Sequence, residues 1–322
     1  MGIVGDAHPI SLAMTRHASA CAKCILLGEH AVVYGFPAVA IPVAGLRARA
    51  ELAESNSPFL IDAPAIGLTS ALEDLPDDHP LAFCVRHTIE FLGTGIPAAR
   101  LTITSNIPLA SGLGSGAAVS TAIVRVLAAS AGRSLTPGEI SQIVFDVERI
   151  YHGTPSGVDN TVIAYECPVY FQREREPVLL QINAGMHLLV ADSGVQSETR
   201  SAVDGVRERW QSDPARYEDL FRRIGALADT GREHLENGRA QPLGITMNQC
   251  HELLRAIGVS TPGLDRLVDA ARHAGALGAK LTGAGLGGNI VALADPQDLE
   301  SVESALRGGG AVAVYRTTLE PG

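Results

Sequence analysis

The chain has 322 residues, enough for two domains of ordinary size, and is 46% hydrophobic, 19% charged and 4% aromatic with 34 glycines. That composition suits a globular α/β protein with an Ala, Val, Leu and Ile core, and excludes a disordered or fibrous chain. Lys and Arg number 25 against 35 Asp and Glu, a formal charge of −10, so neither nucleic acid nor an anionic membrane is an expected partner, and a polyanionic ligand would need its own local site.

From the N-terminus, Asp6, His8, Pro9, Arg16 and His17 interrupt any signal-peptide core. The longest uncharged run, residues 31–46, is too short for a membrane span and carries Pro37 and Pro42. Five cysteines, an odd number, suggest reduced thiols and a cytoplasmic location. Cys21 and Cys24 form a CxxC, but no second ligand pair at zinc spacing accompanies it, and its strand-like surroundings suit buried structural thiols.

Residues 23–35 place Lys23, Glu29 and His30 in an otherwise apolar stretch. Burying such groups costs several kcal/mol unless they are paired, so a polar site is expected there. Residues 52–80, rich in Pro, Ser and Asp, read as loops and short elements. Residues 101–105 alternate as a half-buried strand, and 117–131 follow a helical period with Val119, Ile123, Val126 and Leu127 on one face. Between them lies the glycine-rich run from Pro108 to Ala118. A loop between strand and helix turns backbone amides and a helix N-terminus toward an anion, yet it is neither a Walker loop nor a dinucleotide fingerprint.

A helix restarts at Pro137 and runs to about Tyr151. Glu148 closes it, and Asp159 follows in a Pro/Gly turn; two carboxylates on one ribbon could divide metal and proton work. Residues 171–177 suggest a hairpin turn or domain boundary. A buried strand at 187–192 opens a second unit, followed by helices over 199–237, 242–257 and 264–274. Strand-like segments at 279–282, 289–293 and 311–315 close the chain, with a second glycine loop at 283–288.

Four strings, in order, resemble the GHMP small-molecule kinases. They are the run from Lys23 to Gly35, the loop 108–118, the string from Glu148 to Asn160, and the stretch from Gly258 to Asn289. The resemblance extends from about residue 19 to the C-terminus. It implies an α/β (α+β) two-domain fold with mixed sheets and helices, divided as 1–185 and 186–322, with the active site in the inter-domain cleft. It implies ATP-dependent phosphorylation of a small-molecule hydroxyl, mevalonate first; phosphomevalonate, another mevalonate hydroxyl, a sugar, or a non-catalytic sensing role are the alternatives. A homodimer is compatible with it.

Carried onto these positions, the resemblance makes Asp159 the catalytic carboxylate and Lys23 its cationic partner. Pro108, Ser111, Gly112, Leu113, Gly114, Ser115, Gly116, Ala117 and Ala118 would cradle ATP. Glu148 and Ser115 would hold Mg²⁺, and Glu29, His30, Gly194 and Thr199 would line the acceptor pocket. The family's second loop serine is replaced by Gly116, and Leu286 and Asn289 also depart from its pattern.

Overall fold

The computed structural model describes residues 15–108, 111–152, 156–197 and 199–322. Two sheets organise it. In chain order the first half contains β1 (Arg16–Leu27), β2 (Ala38–Glu54), β3 (Leu60–Ala63), β4 (Leu68–Ala71), α1 (Pro80–Leu92), β5 (Ala99–Ser105), α2 (Ser115–Ser130), α3 (Pro137–His152), α4 (Val158–Tyr165), β6 (Val169–Phe171) and β7 (Val178–Leu179). The second half contains β8 (Met186–Asp192), α5 (Thr199–Ser212), α6 (Pro214–Glu236), α7 (Ala240–Ala256), α8 (Pro262–His273), β9 (Gly278–Thr282), β10 (Asn289–Ala294), α9 (Leu299–Gly308) and β11 (Ala313–Leu319).

The first sheet runs β4-β3-β5-β2-β6-β7, with β1 paired antiparallel to β2. Its β3–β5 pairing is parallel and the others are antiparallel, so the sheet is mixed. The second sheet, β11-β8-β10-β9, is antiparallel throughout, which corrects the expectation of a mixed sheet in each half. Only β9 and β10 are neighbours joined by a short loop; β8 reaches β9 through α5 to α8, and β10 reaches β11 through α9, each crossover passing over the strand that separates the two.

Helix α2 packs on β1 and β2, and α4 packs on the same strands. In the second half α7 lies on β9, α8 on β9 and β10, and α9 on β8 and β11. Where α7 crosses the start of β9 the backbones nearly touch. A Cβ on Gly244 would stand 2.4 Å from the Leu277 carbonyl oxygen, so only glycine fits there. The second half of β1 is buried along its whole length. That explains its apolar run, interrupted only by Lys23, since a strand covered on both faces loses the period-two alternation.

Helix α3 begins where Pro137 predicts. Thr136 and Glu139 close a reciprocal capping box there, the Thr136 amide donating to Glu139 Oε2 at 2.7 Å and the Glu139 amide to Thr136 Oγ1 at 3.2 Å. The turn at 171–177 is the β6–β7 connection, as expected. The two or three helices expected over 199–257 are three, with α5 and α6 parting at Pro214. Two elements differ from the sequence reading: residues 158–165 form α4 rather than continuing a turn, and α9 precedes the last strand. Among the described residues no helix is long and apolar enough to cross a membrane.

Candidate active site

The polar residues of the first half meet where β1, α2, α3 and α4 converge. Lys23, on the buried half of β1, is 3% exposed, and its Nζ lies 2.9 Å from Asp159 Oδ1. Asp159 sits in the first turn of α4, behind a left-handed Gly157 (φ 89°) at the N-cap. A carboxylate there is favoured by the helix dipole as well as by the ammonium group. Glu148, in the last part of α3, is buried, and its pKa is pushed up to about 8, first by burial and then by the Asp159 charge, with Lys23 opposing.

The glycine run wraps over this cluster. The Lys23 amide donates to the Leu113 carbonyl at 3.0 Å, tying the loop to β1. Gly114 caps α2 with φ 74°, and a Cβ there would meet Ile163 Cδ1 at 2.8 Å and Lys23 Cγ at 3.1 Å. Glycine at this position lets the loop lie directly on the lysine stem. Ser115, Gly116, Ala117 and Ala118 form the first turn of α2; the Ala118 amide donates to the Gly114 carbonyl at 2.9 Å, and the amides of the three residues before it are the ones a helix start leaves for an anion. Ser111 donates through its hydroxyl to the Pro108 carbonyl at 2.8 Å. Leu109, Ala110 and the segment Gly153 to Pro155 lie outside the described residues. The departure at Gly116 has a visible consequence: a Cβ there would be 3.2 Å from Glu148 Oε1, so glycine leaves space between α2 and that carboxylate.

A cleft of about 390 Å³ opens over these groups. Lys23, Glu148, Asp159 and Gly112 line it from the first half, and Gly283 and Ala284 from the distal glycine loop. His30 and Thr199 line it; Gly194 is not among the lining residues. Its φ of 73° and the amide bond to Asp192 Oδ1 at 2.8 Å mark it as a turn residue after β8. Glu29 is also not at the surface of the cleft. It is 0% exposed and ion-paired with the equally buried Lys280 of β9, whose Nζ also donates to the Leu281 carbonyl at 2.6 Å. Burial raises the Glu29 pKa and Lys280 lowers it.

His30 is reached through a strained turn, at φ 60° for a non-glycine residue. Its Nε2 donates to the Ala284 carbonyl at 2.8 Å, and burial lowers its pKa to about 4, so it presents a neutral imidazole. His251 on α7 is held in the same state. Its Nδ1 accepts from the Leu281 amide at 3.3 Å, its Nε2 lies 3.2 Å from Asp265 Oδ1, and burial lowers its pKa to about 4.

That histidine has a measurable consequence. Between pH 6.5 and about 4 the unfolded chain binds a proton at His251 that the native state does not, so falling pH destabilises the fold through it. Glu148, with its raised pKa, acts in the opposite sense. The comparison is therefore with His251→Gln. In urea unfolding, wild type is expected to lose about 1.4 kcal/mol per pH unit relative to this variant below pH 6.5. A pH-independent difference would contradict the neutral assignment.

Sequence reasoning missed Arg200, Asp204 and Arg207, which line the cleft from α5 together with Thr199 and Val203. Their spacing places them on one helical face, but only the packing of α5 shows that this face turns to the cleft. It also missed Lys280, whose place as the one charge in residues 274–289 was the available clue. Cys21 and Cys24 are buried free thiols with pKa values pushed up to about 12, in keeping with a structural role.

The architecture agrees with comparisons against known proteins. The family model described as GHMP kinases N terminal domain matches residues 81–167, and that described as GHMP kinases C terminal matches 232–311. A mevalonate kinase of Pyrococcus abyssi is 35% identical over 94% of this chain and 96% of its own. The crystal structure of L. major mevalonate kinase in complex with R-mevalonate superposes with a TM-score of 0.83, at 27% identity, over 98% of this chain and 99% of its own. A Streptococcus pneumoniae phosphomevalonate kinase in complex with phosphomevalonate and AMPPNP shares the fold at a TM-score of 0.81 and 20% identity, covering 94% and 99%. Fold and relatives together define a two-domain phosphotransferase that acts on the alcohol of a small molecule, with ATP as donor. The chain belongs to the GHMP kinase family.

Proposed function

We propose that the chain is a mevalonate kinase that transfers the γ-phosphoryl group of ATP to the primary hydroxyl of mevalonate. Relatives of that name aligned along almost the whole chain support the substrate. The observation that carries the chemistry is the Lys23–Asp159 pair at 2.9 Å, on a cleft that Gly112 of the glycine run also lines. Residues 1–185 are read as the domain that supplies the phosphate loop and both catalytic groups. Residues 186–322 are read as the domain that closes the cleft with α5 and the distal glycine loop.

In this reaction the acceptor oxygen bonds to Pγ as the bond from Pγ to the bridging oxygen breaks, ADP leaves, and the hydroxyl proton passes to Asp159. The transition state of such transfers is loose, so orientation and charge neutralisation contribute more than early deprotonation. Asp159 orients the hydroxyl; Lys23 fixes the carboxylate and stabilises charge growing on the transferred group. The amides of Ser111 to Ala117 bind the phosphates, with Pro108 and Ala118 framing the loop at either end. His30 and Thr199 face the acceptor. Glu29 and Gly194 contribute from behind, by holding the turns that carry the neighbouring groups. A mevalonate carboxylate requires a cation, and α5 supplies Arg200 and Arg207 to the same cleft.

Mg²⁺ fits the donor set. Glu148 is a buried carboxylate whose raised pKa a cation would reverse, Ser115 offers a hydroxyl on the first turn of α2, and Gly116 leaves space beside Glu148. Bound there, the ion would neutralise the β- and γ-phosphate oxygens. The test is ADP release with ATP and Mg²⁺ across mevalonate, phosphomevalonate, galactose and homoserine. Turnover with mevalonate is expected to exceed the others by orders of magnitude, and preference for phosphomevalonate would overturn the assignment.

A further inference from the structure

The phosphate loop is held from two sides, and one of its anchors lies on the second sheet. From the first sheet, the Lys23 amide donates to the Leu113 carbonyl. From the second, Asn289 Nδ2 donates to the Ser111 carbonyl at 2.6 Å, between residues 178 positions apart. The two bonds bracket Gly112, which lines the cleft with φ 78°.

Asn289 is built in rather than incidental. It is the first residue of β10, is 0% exposed, and stands in register with Asp192 of β8 and Thr282 of β9. Thr282 makes a second bridge of the same kind: it accepts from the Ile25 amide at 3.1 Å and donates to the Ile25 carbonyl at 2.8 Å. The segment before Asn289 is braced as well, the Gly288 amide donating to the Val195 carbonyl at 2.7 Å and Ser197 Oγ to the Gly285 carbonyl at 2.6 Å. The Asn289 Oδ1 atom is buried and accepts no hydrogen bond. A buried amide that leaves its acceptor unmet is costly, so its retention is explained by what its donor does.

We propose that Asn289 is a positioning residue for the phosphate loop: by holding the Ser111 carbonyl it fixes the backbone on which the nucleotide phosphates rest, without touching the nucleotide. This rests on reading residues 111–118 as the phosphate-binding loop. The consequence is that a side chain of the second domain sets ATP affinity and leaves the acceptor side alone.

The test is ATP binding by calorimetry, which needs no acceptor and no turnover, on wild type and Asn289→Leu. Leucine nearly conserves volume while removing both the donor and the unmet acceptor, which favours a folded variant. ATP affinity is expected to fall about tenfold, amide exchange at residues 112–115 to rise, and KM for the acceptor and kcat to stay within twofold. Should Asn289→Leu fail to fold, Asn289→Ala, which only removes atoms, carries the same comparison. A folded variant that binds ATP within twofold of wild type would overturn the inference. So would a loss that falls equally on ATP and acceptor. Wild-type protein that binds no ATP would instead fail the loop assignment itself, and this inference with it.

Discussion

Asp159→Asn is expected to lower kcat by on the order of 10²-fold or more while leaving ATP affinity within a few-fold of wild type. The substitution keeps the shape of the side chain but removes the proton acceptor and the charge that Lys23 holds at 2.9 Å. Because Asp159 also faces the acceptor hydroxyl in the proposed reaction, part of the loss is orientation, and KM for the acceptor is expected to rise less than kcat falls. Steady-state kinetics with both substrates varied makes the separation. Near-normal turnover in a correctly folded variant would remove Asp159 from its role. A loss confined to ATP affinity would place it at the nucleotide instead.

The largest effect on stability is expected at Lys280. Its ammonium group and the Glu29 carboxylate are both 0% exposed. The pair bridges the turn after β1 to β9, beside Cys250, whose Sγ lies 4.0 Å from Glu29 Oε2. Lys280→Met strands a buried carboxylate, and breaking such a pair from one side costs about 3–5 kcal/mol. Combining Lys280→Met with Glu29→Gln removes both charges, and much of that loss is expected to return, because the desolvation penalty of the pair disappears with it. Urea unfolding of the two single variants and the double variant forms the cycle. Purely additive losses would contradict a direct pairing.

Lys23 and Asp159 were legible because each is a charged group in a stretch otherwise apolar or built of turn formers, and Glu148 because it ends a helix at the head of the string that resembles the family. Their meeting in one cleft then followed from the resemblance to the GHMP kinases. The half-buried strand at 101–105 and the helix after the glycine run were readable from period alone, and Pro137 marked the start of α3 because the capping chemistry is local. What could not be read depends on tertiary contact. Glu29 stands one residue before His30 and carries the same kind of signal, yet the strained turn puts His30 on the cleft and Glu29 against Lys280. The arginines of α5 look like ordinary surface charge in a helix of low hydropathy until that helix packs over the cleft. Residues 158–165 read as a turn because of Pro155 and Gly157, and a helix of eight residues is too short to announce itself by periodicity. Asn289 was readable only as the start of a strand, its partner being a backbone carbonyl in the other sheet.

The most direct measurement of the central claim is the structure of the product, read by phosphorus NMR after incubation with ATP, Mg²⁺ and mevalonate, with Asp159→Asn alongside. Wild type is expected to convert mevalonate to a monoester of its primary hydroxyl, with one ADP formed for each, and the variant to leave it almost untouched over the same time. ATP hydrolysed without a phosphorylated acceptor, a phosphate on the tertiary hydroxyl, or equal conversion by Asp159→Asn would contradict it.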